Sequence, residues 1–311
     1  MMSITRRQFV TSAGILGSGL GFAQAAQAAQ SGIRFLLVGD WGRHGKHHQS
    51  RVADQMGRTA QDINSLFVVS VGDNFYENGV ESVTDPQWQS SFEAVYTASS
   101  LQTPWHVILG NHDYRGNVQA QLDYSRLSPR WHLPARYYQE VMTLPDGAKA
   151  SFYYLDTSPF IRSYYGSRVK VEGQDTQAQL DWLESSLASS TSEWNIVIGH
   201  HPIYTAHPPE YGHDHDQPDL IARLNPILQK HHVPIYICGH DHVLQAVQIN
   251  EISYICTGAG SETYQPSPAI RGGFISGAHG FMVAHLTGQR FDYALVDETG
   301  AALYSRSIIR V

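Results

Sequence analysis

Phe67-Val68-Val69-Ser70-Val71-Gly72-Asp73-Asn74-Phe75-Tyr76 holds the key to the fold. A run of β-branched and aromatic residues stops at a glycine, and a carboxylate follows. A continuous apolar run of this length reads as a strand buried on both faces. The glycine permits a tight exit turn and a close backbone approach. The same grammar recurs in Phe35-Leu36-Leu37-Val38-Gly39-Asp40, Trp105-His106-Val107-Ile108-Leu109-Gly110-Asn111, Ile196-Val197-Ile198-Gly199-His200 and Ile235-Tyr236-Ile237-Cys238-Gly239-His240. Each run ends in a side chain that can hold a metal.

Helical signals separate these runs. Asp85-Pro86 offers a cap and a first-turn proline, after which Trp88, Phe92, Val95 and Tyr96 share a face. Leu180, Leu183 and Leu187 form a stripe after Asp175. Leu220, Ile221, Leu224, Ile227 and Leu228 form another, with Pro226 as a kink. Strand, helix, strand at these separations implies βαβ crossovers and a largely parallel core. Residues 137–144 and 150–155 flank Pro145-Asp146-Gly147 as a hairpin, and short strands run around Gly288 and Thr299-Gly300. Residues 258–280, rich in glycine and proline, read as an ordered loop. The expectation is an α/β fold bordering on α+β, one domain over residues 29–311, with two packed sheets. In such sheets function gathers at the carboxyl ends of the strands.

The 311 residues carry a formal charge of -7, and no basic face is visible. A sequence-independent grip on nucleic acid or an anionic membrane is therefore excluded. The 17 histidines nearly match the 21 lysines and arginines, which leans toward metal chemistry. Cys238 and Cys256 each end an apolar run and read as buried small side chains; a disulfide between neighbouring strands is the alternative.

The first residues form an address. Thr5-Arg6-Arg7-Gln8-Phe9 precedes a short, glycine-rich apolar stretch, and small-x-small cleavage sites follow at Ala25 and Ala28. Residues 1–28 resemble a bacterial twin-arginine signal peptide, too short to span a bilayer. The expected destination is the periplasm or the exterior, with no membrane anchor after removal of the signal.

The five strand tips offer Asp40 and Asp73 as carboxylates, Asn111 as a neutral oxygen, and His200, His240 and His242 as imidazoles. Hard oxygens mixed with imidazole suit Fe, Mn or Zn. Six such groups exceed what one open four-coordinate ion needs and suit two ions bridged by one Asp. His240 and His242 are two apart, so on an extended segment both rings point the same way, with Asp241 between them able to orient an imidazole.

In order, Gly39-Asp40-Trp41-Gly42, Gly72-Asp73-Asn74-Phe75-Tyr76, Gly110-Asn111-His112-Asp113, Gly199-His200-His201-Pro202 and Gly239-His240-Asp241-His242 resemble the five blocks of the calcineurin-like metallophosphoesterases. The resemblance runs from Ile33 to the C-terminus and implies a four-layer sandwich of two mixed β-sheets flanked by helices. More narrowly, the chain resembles the small purple acid phosphatases, the tartrate-resistant acid phosphatase type. Gly42 stands where most metallophosphoesterases place a His ligand, and Tyr76 stands where purple acid phosphatases place a phenolate. The alternative for Tyr76 is an aromatic packing residue in a turn.

That resemblance implies Fe(III) held by Asp40, Tyr76, His242 and bridging Asp73. It implies Fe(II), Zn(II) or Mn(II) held by Asn111, His200, His240 and the same Asp73. The implied chemistry is hydrolysis of small phosphate monoesters by in-line attack of a metal-bound hydroxide. His112 would protonate the leaving group or steady the phosphate, with a hydrogen-bonding role toward Asp113 as the alternative. The family's other substrate-facing His falls in the 205–216 loop, where ungapped alignment reaches Asp214; His213 is the best substitute, with His215 and His207 behind it. His201 reads as a neighbour of the ligands, the His44-Gly45-Lys46-His47-His48 cluster as a solvated loop, and His279 as a turn residue. A rival reading is a metal-dependent phosphodiesterase on the same scaffold. A secreted binding protein without activity would need a broken ligand set, and every expected ligand is present. The oligomeric state is not encoded in any of these patterns.

Overall fold

The computed structural model describes residues 32–206, 216–269 and 271–310. Residues 1–28, expected to form an export signal, and His207, His213 and His215 lie outside the described residues. Among the described residues there are fourteen strands: β1 (Ile33–Val38), β2 (Val68–Ser70), β3 (Trp105–Val107), β4 (Trp131–His132), β5 (Tyr138–Thr143), β6 (Lys149–Tyr154), β7 (Trp194–Ile198), β8 (Ile235–Cys238), β9 (Leu244–Ile249), β10 (Ile252–Thr257), β11 (Phe274–Ser276), β12 (Gly280–Leu286), β13 (Arg290–Asp297) and β14 (Ala302–Ile309). They make two seven-stranded sheets, ordered β14-β13-β12-β1-β2-β3-β4 and β11-β9-β10-β8-β7-β6-β5.

Both sheets are mixed. β1 through β4 pair parallel, while β12, β13 and β14 add an antiparallel meander beside β1. In the second sheet β6, β7, β8 and β10 run parallel, and β5, β9 and β11 pair antiparallel at its flanks. The parallel part is the expected crossover core, and the expected hairpins supply β5 and the C-terminal meander; the antiparallel edge of β9 and β11 was not expected.

Side-chain alternation explains the layering. Phe152, Tyr154, Ile196, Ile198, Ile235, Ile237 and Ile255 enter the large core that also holds Phe35, Phe67 and Phe281 of the first sheet. Their neighbours Tyr153, Val197, Tyr236, Cys238, Tyr254 and Cys256 point the other way, onto the leucines of the covering helices. Strand residues at successive positions face opposite sides, so a run apolar at every position must be covered twice.

The helix Thr176–Ala188 forms as the stripe requires: Asp175 accepts a hydrogen bond from Ala178 N at 2.9 Å, and Leu180, Leu183 and Leu187 are buried. The third stripe divides at Leu224 into helices Pro218–Arg223 and Asn225–Lys230. Pro226 lacks the N–H that a continuous helix would use. The 85–96 segment is not the α-helix expected. It winds as one wide turn, Trp88–Glu93, with Trp88 stacked on Tyr124 at 3.5 Å and Phe92 edge-on to Trp105. Residues 258–280 hold the edge strand β11 as well as loop.

Helix Gln49–Ile63 was not anticipated. Val52, Ala53, Met56, Ala60 and Ile63 give it an apolar face at helical spacing. Its start is unmarked, because His48 makes no side-chain cap and the first turn holds no acidic residue.

Candidate metal centre

The loops leaving the two sheets meet at one place. Asp40, Asp73 and Asn111 follow β1, β2 and β3; His200 follows β7, and His240 and His242 follow β8. Asp40, Asp73 and His240 adopt φ of 59°, 50° and 70°, the left-handed region that non-glycine residues rarely occupy. Such strain persists where the surroundings over-determine it, and it collects at functional sites. A Cβ on Gly110 would overlap Asp73 Oδ1, so the third turn can pass the second only as glycine.

Three side chains converge on the Tyr76 hydroxyl. It lies 3.0 Å from Asp40 Oδ1, 3.1 Å from Asp73 Oδ2 and 2.9 Å from His242 Nε2. His242 Nε2 is 3.6 Å from Asp40 Oδ1. Tyr76 N donates to Gly42 O at 2.9 Å, and a Cβ on Gly42 would overlap the carbonyl oxygen of Asn74. The backbone that delivers Tyr76 therefore leaves no room for a side chain at position 42.

A second group lies beside the first. His200 Nε2 is 3.4 Å from Asp73 Oδ1, and His240 Nδ1 is 2.9 Å from Asn111 Oδ1. The rings of His200 and His240 are 5.3 Å apart. Asp73 thus turns one oxygen toward each group, the position of a bridging ligand.

These residues fit a pair of metal ions. His200 Nδ1 sits 2.9 Å from Val71 O and donates to it, so in the neutral, ion-binding ring Nε2 is left with the lone pair. That Nε2 is buried and has no hydrogen-bond partner. Buried polar atoms are rarely left unpaired, and an ion is one explanation. The charges agree. Burial raises the Asp40 carboxyl well above the usual range, with His200 opposing and Asp73 adding to the rise. Burial opposes the shift of Asp73, but His200 and His112 hold it well below that range. Burial would lower His200, yet Asp73 and Asp40 push it up to about 10. Two buried carboxylates therefore crowd one space and draw positive charge to it.

His112 borders this centre. Its backbone N–H donates to Asp73 Oδ1 at 2.7 Å, and its Nε2 faces Asp73 Oδ2 at 3.9 Å. Nδ1 lies 2.7 Å from both Glu77 O and Arg115 Nη1. Asp113 is taken by other groups: it accepts from Gly110 N at 2.8 Å, Gln121 Nε2 at 2.8 Å and Asn74 N at 3.1 Å. It pins the turn that presents Asn111 and His112.

Sequence reasoning missed several neighbours. The Arg43 guanidinium lies 3.9 Å over the Tyr76 ring and pairs with Glu77 at 2.6 Å and Glu262 at 3.1 Å. Tyr164 reaches His201 Nε2 at 2.9 Å, while Thr157 Oγ1 meets His201 Nδ1 at 2.9 Å. Both nitrogens of His201 are thus engaged by hydroxyls, although the ring belongs to a cluster with His200 and His240. His44, His47 and His48 are exposed, as expected of a solvated loop. His44 Nδ1 contacts Ser90 Oγ at 2.8 Å, and His48 stacks on His279 at 3.7 Å. Cys238 and Cys256 face each other across β8 and β10 as buried free thiols. Asp241 is buried, with Gln245 Nε2 at 3.5 Å from its carboxylate.

Two sheets that present Asp, Asn and His from five strand ends around a pair of carboxylates define a binuclear metallophosphoesterase. Residues 33–244 match the family model described as calcineurin-like phosphoesterase, and the chain belongs to that family. Among its relatives, purple acid phosphatase 4 of Arabidopsis thaliana is 36% identical over 303 residues, covering 92% of this chain and 86% of the relative. Tartrate-resistant acid phosphatase type 5 of Oryctolagus cuniculus is 34% identical, covering 90% of this chain and 91% of the relative. A solved structure of GAP50, described as the anchor in the inner membrane complex of Plasmodium, superposes with a TM-score of 0.78 at 26% identity, covering 90% of each chain.

Proposed function

We propose that this chain hydrolyses small phosphate monoesters as a purple acid phosphatase, with Fe(III) beside Tyr76 and Fe(II), Zn(II) or Mn(II) beside Asn111. The observation that carries this reading is the Tyr76 hydroxyl, set between Asp40, Asp73 and His242 at 2.9–3.1 Å. Phenolate is a hard, charged donor and suits a trivalent ion. Asp40, Tyr76, His242 and Asp73 would hold that ion; Asn111, His200, His240 and Asp73 would hold the other. When bound, the pair supplies Lewis acidity toward a phosphate oxygen and lowers the pKa of water.

The chain's own groups do the rest. Val71 O fixes the His200 tautomer, and the His112 backbone N–H holds one oxygen of Asp73. Glu77 O and Arg115 Nη1 both meet Nδ1 at 2.7 Å, so the His112 ring presents Nε2 toward the centre, where a protonated imidazole can donate to the departing oxygen. His112→Gln is expected to lower kcat by about 100-fold for alkyl phosphates and much less for nitrophenyl phosphate. Equal losses for both leaving groups would remove the acid role. The function itself is tested by kcat/KM for an aryl phosphate monoester against the matching diester. A ratio well above one supports the reading; a ratio below one would reassign the chain to diesters.

Among the described residues no helix is long and apolar enough to cross a membrane. We also propose export through a folded-protein route directed by Arg6 and Arg7. Replacing both with Lys should leave the enzyme in the cytoplasm, and unchanged export would refute that address.

A further inference from the structure

A second constellation of metal-ligating side chains lies outside the centre and shares no residue with it. His106 of β3, His132 of β4 and Glu140 of β5 each offer a donor atom, and the three atoms lie within 4.8 Å of one another. β4 is the edge of one sheet and β5 the edge of the other. His106 and His132 are paired in the parallel register of β3 and β4. His132 Nε2 is 2.8 Å from Glu140 Oε1. The Tyr138 hydroxyl ties the same edges together, donating toward Val107 O at 3.0 Å and His132 O at 3.1 Å.

Two polar atoms here are buried without a hydrogen-bond partner, His106 Nδ1 and the Tyr154 hydroxyl. The two rings stack at 5.6 Å, and Phe67 meets His106 edge-on at 5.1 Å. An imidazole set this deep among aromatic rings is neutral: burial and the neighbouring His132 lower it to about 4. A neutral imidazole is a ligand-ready donor. His132 and Glu140 side chains remain 38% and 34% exposed, which leaves an ion a way in. Two imidazoles and one carboxylate form a donor set that zinc takes up readily, with a further position open to water or another donor. A surface pair of His132 and Glu140 alone would not account for a third donor drawn from the core, nor for the two orphaned atoms beside it.

We propose that His106, His132 and Glu140 form a separate mononuclear site for a divalent transition-metal ion of zinc's class, clamping the edge of one sheet to the edge of the other. The site is structural. Its ligands come from three strands, so the bound ion resists separation of the two sheets at their shared margin.

The test uses the active holoenzyme, with its binuclear centre filled, dialysed against zinc ion. Wild type is expected to take up one further equivalent of zinc. At about 100 times the Kd, that uptake should raise Tm by about 5 °C. His132→Ala and Glu140→Gln should lose both the extra equivalent and the Tm rise, while kcat/KM stays within about twofold of wild type. Retained activity shows that the variants are folded and that their catalytic metals are in place. No further uptake by wild type, or undiminished uptake by both variants, overturns the site.

Discussion

Tyr76→Phe is expected to bleach the iron-loaded protein and to lower kcat/KM by at least about 100-fold. The substitution removes one oxygen and keeps the ring. That ring packs against His112 at 4.3 Å between centroids and under Arg43 at 3.9 Å, so packing survives. What is lost is the hydroxyl that meets Asp40, Asp73 and His242. The first block offers no replacement, because a side chain at position 42 would overlap the Asn74 carbonyl oxygen. In the metal-free protein, burial raises the Tyr76 hydroxyl well above its ordinary value, and Asp40 and Asp73 add to the rise. The phenolate therefore needs a bound cation to form, and a visible phenolate-to-iron band reports that bond directly. Colour and activity persisting in Tyr76→Phe would assign the tyrosine to packing.

Asp73→Asn should be more severe, lowering kcat by about 10⁴-fold or more without unfolding the chain. Asn keeps the shape and an acceptor oxygen, so the hydrogen bond from His112 N at 2.7 Å can persist and hold the turn. The charge that faces both ligand groups is removed. Neither neighbouring oxygen can take over: Asp40 is committed to the Tyr76 side, and Asn111 is neutral. Metal analysis should show at least one ion lost per chain, with circular dichroism unchanged. Activity within tenfold of wild type would break the bridging assignment.

The strands and the candidate side chains at their tips were legible for the same reason. A buried parallel strand needs an apolar residue at every position, and its tip needs a glycine before the functional side chain. Gly72-Asp73 and Gly239-His240 announce both at once. The hairpin of β5 and β6 was legible from Pro145-Asp146-Gly147, and helix Thr176–Ala188 from three leucines and a capping Asp. Helix Gln49–Ile63 has its stripe in Val52, Met56, Ala60 and Ile63, but no capping side chain at His48 marks its start. The 85–96 segment carried a helical pattern, but the rings of Trp88, Phe92, Tyr124 and Trp131 pack in a wider winding. Tyr164 reaches His201 from a distant segment, and Arg43, next to the first block, carries no mark of the Tyr76 ring it covers. The triad of His106, His132 and Glu140 is likewise scattered over three strands, and only the pairing of β3 with β4 and the neighbouring edge β5 gathers it.

The proposed activity requires two ions sharing Asp73. The most direct measurement strips the protein of metal and restores it stepwise, first with iron and then with zinc, reading visible absorbance and kcat for an aryl phosphate at each step. The expected result is colour with the first ion, little turnover until the second arrives, and full turnover only when both are bound. Full turnover from the metal-free protein, or from protein carrying a single ion per chain, would contradict it.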